Sequence, residues 1–78
     1  MLNFSDHQKL GEEIKTAYKI ILEANILLSN NYPKKSEPNI TAENAIHSIM
    51  QLKSVMDEAV SIENPDKGDS ETIPIYFC

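Results

Sequence analysis

The sequence predicts an all-α protein, an antiparallel two-helix hairpin that assembles into a four-helix bundle dimer. Apolar residues recur at alternating spacings of three and four in two long stretches, which is the period of an amphipathic helix. The two stretches have similar lengths, and a short polar segment bounded by two prolines separates them. Helices of similar length that are joined by a short connection pack antiparallel.

Helix 1 is predicted over residues 5–30. Ser5 and Gln8 have the spacing of a capping box, in which each side chain satisfies a free N–H at the helix start. The predicted apolar stripe consists of Leu10, Ile14, Ala17, Ile21, Ala24 and Leu28. Gly11 is the one weak helix former within it and costs about 1 kcal/mol relative to alanine. Pro33 cannot continue the helix, so the helix ends before it.

Helix 2 is predicted over residues 41–62. Thr41 is the expected N-cap, and Glu43 falls in the first turn, where a negative charge interacts favourably with the helix dipole. The predicted stripe consists of Ala42, Ala45, Ile49, Leu52, Met56 and Ala59. Pro65 follows the helix and restricts the residue before it to extended backbone. Residues 1–62 therefore form the predicted hairpin domain.

Both helices carry more apolar side chains than one partner helix can cover. Seven of the nine residues from Ile20 to Leu28 are apolar, and they point in all directions around a helix. An isolated hairpin cannot bury so wide an apolar surface, whereas two hairpins packed together can. A chain of 78 residues also builds only a small core by itself. The predicted interface between two copies consists of Tyr18, Ile20, Leu22, Ile26, Leu27, Ile46, Met50 and Val60.

Residues 63–78 are predicted to form an extended acidic linker and an apolar tail. The first ten are rich in acids and poor in apolar side chains, as in flexible segments. The apolar tail consists of Ile73, Ile75, Tyr76 and Phe77. Pro74 would restrict the tail to the edge of a sheet if it paired as a strand. The tail either folds back onto the hairpin to cover apolar surface or docks onto another protein, by strand addition or through an aromatic anchor.

Charge and composition exclude several classes of partner. Residues 1–35 contain five lysines and four acids, residues 36–78 contain two lysines and eight acids, and arginine is absent. So acidic a chain is not expected to bind nucleic acid or an anionic membrane surface. The N-terminus lacks the pattern of a signal peptide, no apolar stretch is long enough to span a bilayer, and there is a single cysteine. These features predict a cytoplasmic protein.

No group of residues has the spacing of a catalytic, cofactor or metal site. Glu43 and His47 are four residues apart and could supply half of a metal site, but a solvated helix face explains the pair better. The acids around Gly68 do not follow the order of an EF-hand loop. Cys78 has no neighbouring base that would activate it as a nucleophile. His7 is interpreted as a surface or interface residue. We therefore expect no enzyme, no cofactor and no metal.

The predicted function is that of a small interaction or regulatory protein, which acts through helical self-association and through partner binding. Two alternatives stay open. The hairpin could be a subunit or inhibitor of a hetero-complex, of the antitoxin, anti-defence or adaptor type, whose surplus apolar face meets a different chain. It could also be a small-molecule sensor with a pocket between hairpins, lined by Tyr18 and Leu22.

Overall fold

The described part of the chain contains three helices: α1 spans Phe4–Asn31, α2 spans Glu37–Glu63 and α3 spans Asp69–Phe77. The computed structural model describes residues 1–77, and these residues contain no strand. The all-helical class predicted from the sequence is confirmed. Cys78, the candidate nucleophile of the sequence, lies outside the described residues.

The first helix begins earlier than predicted, because its cap is Asn3 and not Ser5. The side chain of Asn3 accepts a hydrogen bond from the backbone N–H of Asp6 at 2.7 Å, and the backbone of Asn3 is extended. Ser5 therefore lies inside the helix, and the predicted capping box is wrong. The earlier start also brings Phe4 into the helix, where its side chain packs against the hydrophobic core.

The second helix also begins earlier, at Glu37 instead of residue 41. Ser36 is the N-cap residue, with φ −71° and ψ 156°, and its carbonyl accepts the N–H of Ile40 at 3.0 Å. Pro38 lies in the first turn, where a helix does not need the missing N–H. The sequence predicts this proline in the connecting turn. Its fixed φ suits the first turn of a helix equally well.

A buried asparagine holds the connection between α1 and α2 by hydrogen bonds to its backbone. The side-chain amide of Asn39 donates to the carbonyls of Tyr32 and Pro33, at 3.0 and 2.8 Å. At the far end of the helices, the backbone N–H of Leu2 donates to Glu63 at 3.1 Å. The start of α1 thus lies beside the end of α2, and the two helices run in opposite directions.

The buried side of α2 matches the predicted stripe at Ala42, Ile49 and Met56 but departs from it at residue 52. Leu52 is exposed, while its neighbour Lys53 is buried. The ammonium group of Lys53 lies 4.5 Å from the ring centroid of Tyr18 and 5.1 Å from that of Phe77. Such cation–π contacts, together with the long aliphatic stem, allow a lysine to occupy a buried position. A prediction from the sequence that counts every lysine as exposed therefore misses this buried position.

Residues 69–77 form α3, so the prediction of an extended tail that could pair as a strand is wrong. The carbonyl of Gly68 accepts the N–H groups of Glu71 and Thr72, and the Glu71 carboxylate accepts the N–H of Gly68 at 3.3 Å. The Glu71 contact is one half of a capping box, because glycine at the N-cap has no side chain to supply the other half. Pro74 lies inside the helix, and its carbonyl accepts a hydrogen bond from the ammonium group of Lys15 at 3.1 Å.

The hydrophobic core lies where α3 packs across α1 and α2. It consists of Ile14, Val60, Ile75 and Tyr76, with Phe4, Leu10, Ile49 and Met56 packed around it. The molecule measures 48 × 19 × 15 Å and has a radius of gyration of 15.1 Å, against about 11.5 Å for a globular domain of this length. The chain is therefore elongated, with its core near one end.

Candidate functional site

The half of the molecule nearest the connecting turn has no third helix over it. We call residues 17–52 the turn-end half. The contacts of α3 lie at the other end, with His7, Gly11 and Lys15 on α1 and with Lys53 on α2. A helix of nine residues covers only about 14 Å, whereas α1 is about 42 Å long. Much of the surface of α1 and α2 is therefore left uncovered.

Large apolar side chains are exposed in the turn-end half. The exposed fractions of Ile20, Ile26 and Leu27 are 60%, 62% and 65%. Single exposed apolar residues are ordinary on a protein surface, but contiguous ones mark an interaction site, and Ile20 and Leu27, seven residues apart, share one side of α1. These three residues belong to the predicted interface between copies.

A groove between α1 and α2 lies in the turn-end half. Its volume is about 450 Å³. It is lined by Ile21 and Leu28 of α1 and by Glu37, Pro38, Thr41, Ala42 and Ala45 of α2. The α2 wall carries mainly small side chains, so the groove is an apolar depression that another side chain could fill.

Exposed apolar residues border the groove on both helices. Ile20 and Leu27 each precede a groove-lining residue by one position, which places them about 100° around α1 from it, on the flank of the groove, and they share one side of α1 because they are seven residues apart. Leu52 follows Ala45 by seven residues and lies on the same stripe of α2. The groove face, as we define it, consists of Ile20, Ile21, Leu27, Leu28, Ala45 and Leu52.

The remaining residues of the predicted interface lie in different surroundings. Tyr18, Leu22 and Ile46 are half-buried, and Met50 is exposed. Val60 is fully buried in the core with Ile75 and Tyr76. Its assignment to an interface between copies is wrong, because α3 covers the position that an extended tail would have left open.

The tail residues divide between the core and the surface. Ile75 and Tyr76 are buried against the other helices, while Ile73 and Phe77 are exposed. The structure thus folds the tail back onto the chain, which was one of the two interpretations of its sequence. Docking of another protein onto Ile73 and Phe77 stays a prediction.

A buried polar cluster joins all three helices. The Nδ1 atom of His7 lies 2.7 Å from the Tyr76 hydroxyl, and its Nε2 atom lies 3.1 Å from a carboxylate oxygen of Glu63. Burial, and next the negative charge of Glu63, raise the pKa of Tyr76 above its ordinary value of 10.0. Tyr76 therefore keeps its proton and donates to Nδ1. With the tautomer assigned from these contacts, Nε2–H donates to Glu63.

The burial of this cluster gives it a structural role. His7 and Tyr76 are both fully buried, so a substrate could not reach either ring unless α3 moved away. The interpretation of His7 as a surface or interface residue is wrong. The signal in the sequence was its spacing, because His7 precedes Ile14 by seven residues and so extends the apolar stripe of α1.

The structure also shows where the candidate metal ligands lie and whether any helix could cross a membrane. Glu43 and His47 are exposed on α2. Within residues 1–77, no three His, Cys, Asp or Glu side chains lie together as a metal site would require. Over the same residues, each helix is too short or too polar to cross a bilayer.

Comparisons with protein-family models, with curated proteins and with solved structures found no match to this chain. The functional interpretation therefore depends on the surface of this chain alone.

Proposed function

We propose that this protein is a non-enzymatic interaction protein that acts by self-association through its turn-end half. The observation that carries the proposal is the distribution of its exposed apolar side chains. Ile20 and Leu27 are each at least 60% exposed, and they lie in the half over which α3 does not extend. Transfer of such side chains out of water favours association by about 25 cal/mol per Å² of apolar surface.

The total accessible surface supports an interface of ordinary size. A monomeric protein of 8.8 kDa has about 4,800 Å² of accessible surface by the usual scaling with mass. This chain has 5457 Å². The excess of roughly 700 Å² is close to the area of about 800 Å² that each partner buries in a standard interface.

The pairing would produce a four-helix bundle in which α1 and α2 of two copies supply the helices. Each copy would keep its α3 and the acidic side chains around it accessible. Ile73 and Phe77, which are exposed on α3, could then contact another protein. A regulatory or adaptor protein needs this combination of a self-associating body and a separate binding surface.

A second candidate function is that of a subunit or inhibitor in a hetero-complex. One observation favours it. Ile26 is exposed on the side of α1 opposite the groove-lining Leu28, since two residues along a helix correspond to about 200° around it. A single pairing of two copies covers one of these sides, and the other would be available to a different chain.

The proposal is tested by the mass of the purified protein in solution. Sedimentation velocity and light scattering at micromolar concentration should give twice the chain mass of 8.8 kDa. A folded, cooperatively unfolding monomer at those concentrations would contradict self-association. Recovery of a stoichiometric companion from co-expression, with no homodimer, would favour the hetero-complex instead.

A further inference from the structure

We infer that the groove face of one copy packs against the groove face of a second copy, about a two-fold axis that crosses the helices. The two α3 ends then lie at opposite ends of the dimer. This inference rests on the proposed self-association and identifies its surface, its partner and its orientation.

The groove face is complementary to itself. Ile20, Leu27 and Leu52 project from it as large exposed side chains, while Ala42 and Ala45 line the depression beside them. An interface between identical copies requires each surface to supply both members of every contact. Here, the large side chains of each copy can enter the depression of the other copy.

The charge distribution favours a second copy at this face. The turn-end half contains three lysines and three acids, so it is neutral. Residues 53–78 contain two lysines and six acids, and residues 1–16 contain two lysines and three acids, which accounts for the net charge of −5. Two copies can therefore meet at their turn-end halves without bringing like net charges together.

The same distribution selects the orientation. If the axis crosses the helices and the turn-end halves overlap, the acidic ends are separated by about 40 Å, which is several times the Debye length of about 8 Å at physiological ionic strength. If the axis instead ran along the helices, the acidic ends would stack at the packing distance of about 10 Å. Their repulsion disfavours that arrangement.

The first test compares two neighbouring residues of α1. Leu27 and Ile26 are 65% and 62% exposed, but only Leu27 belongs to the groove face. Leu27→Glu should weaken dimerisation by roughly 100-fold or more, because both copies bury the new carboxylate. Ile26→Glu adds the same charge at the same exposure and should leave the dimer intact. Sedimentation velocity measures the dissociation constants, and circular dichroism checks that both variants stay helical.

A second pair tests the same face from α2. Leu52→Glu should also give a monomer, while Gln51→Glu places the charge on an exposed polar neighbour and should not. A wild-type dimer that persists in Leu27→Glu and Leu52→Glu but dissociates in Ile26→Glu would overturn the groove face and leave self-association standing. A monomeric wild-type protein would refute the proposed function as well.

The orientation is tested with spin labels on α3. Ser70→Cys places a label on an exposed position of that helix, in a Cys78→Ser background that removes the other thiol. Pulsed electron resonance on the dimer should give a distance beyond about 40 Å between the two labels. A distance of about 30 Å or less would place the α3 ends together and would overturn the antiparallel orientation.

Discussion

At the scale of single residues, the hydrogen bonds of one buried histidine determine where α3 docks. Burying an imidazole is unfavourable unless its ring nitrogens find partners. In this chain, Tyr76 supplies the donor for one nitrogen and Glu63 supplies the acceptor for the other. Loss of either partner would leave a buried polar atom unsatisfied, at a cost of about 1–3 kcal/mol. The three residues therefore fix α3 in one position, whereas apolar contact alone would allow several.

The raised pKa of Tyr76 gives this contact a pH dependence. The folded chain holds the phenolic proton more tightly than the unfolded chain does, because burial and Glu63 both oppose a phenolate. The contribution to stability is therefore complete below the ordinary pKa of 10.0 and decreases as pH rises above it. Urea denaturation followed by circular dichroism at increasing alkaline pH should show this decrease.

The control is Tyr76→Phe, which cannot ionise at this position. The variant should be less stable at neutral pH, since Nδ1 of His7 loses its donor. Above pH 10.0 its stability should fall less steeply than that of the wild-type protein. Equal slopes in the two proteins would show that Tyr76 is not the group that titrates.

At the scale of elements, a glycine sets how closely α1 and α3 approach each other. A Cβ atom at residue 11 would overlap the carbonyl oxygen of Ile75 and would lie 2.7 Å from its Cγ2 atom. Glycine weakens a helix by about 1 kcal/mol relative to alanine, so Gly11 lowers the stability of α1 in isolation. The close contact with α3 offsets that cost.

We expect Gly11→Ala to displace α3 while α1 stays helical. Alanine raises the helix propensity of α1, but its methyl group meets backbone atoms of Ile75, which cannot rotate away. The fully buried Tyr76 should become accessible. Near-ultraviolet circular dichroism and hydrogen exchange of the α3 amides would measure the change.

Gly68→Ala is the matched control, because a Cβ at residue 68 has no atom within 4 Å among the described residues. Gly68 does not have a positive φ, so alanine fits its backbone. This variant should keep α3 docked. If Gly11→Ala protected the α3 amides as well as Gly68→Ala does, the close approach would not control docking.

The sequence predicted the two long helices more accurately than the packing between them. Their apolar periodicity extends over many turns, so the sequence predicts both helices. It does not identify Asn3 and Ser36 as their N-caps. A helix as short as α3 has too few turns for a clear pattern. It depends on tertiary contacts for its stability, so its proline and its acidic surroundings indicated an extended segment.

At the scale of the whole molecule, the hydrophobic core cluster lies in one half of the chain, while the turn-end half buries only Asn39 and Ala42. The sequence predicted the surplus of apolar residues, because Ile20 to Leu28 exceeds what one helix can cover. It did not predict which of them face together. That division depends on which side of α2 is buried and on the position of α3, and buried polar groups such as Lys53 and His7 lie at both.

If each copy in the dimer covers the exposed apolar surface of the other, unfolding and dissociation should be linked, and the melting temperature should depend on protein concentration. A tenfold increase in concentration stabilises a dimer by about 1.4 kcal/mol. For two chains of 78 residues, this corresponds to a rise of about 4 °C in the melting temperature. Calorimetry over a hundredfold range of concentration would measure it. Ile26→Glu should keep this dependence and Leu27→Glu should lose it. A wild-type melting temperature that does not change with concentration would mean that each copy folds alone and keeps its turn-end half in water.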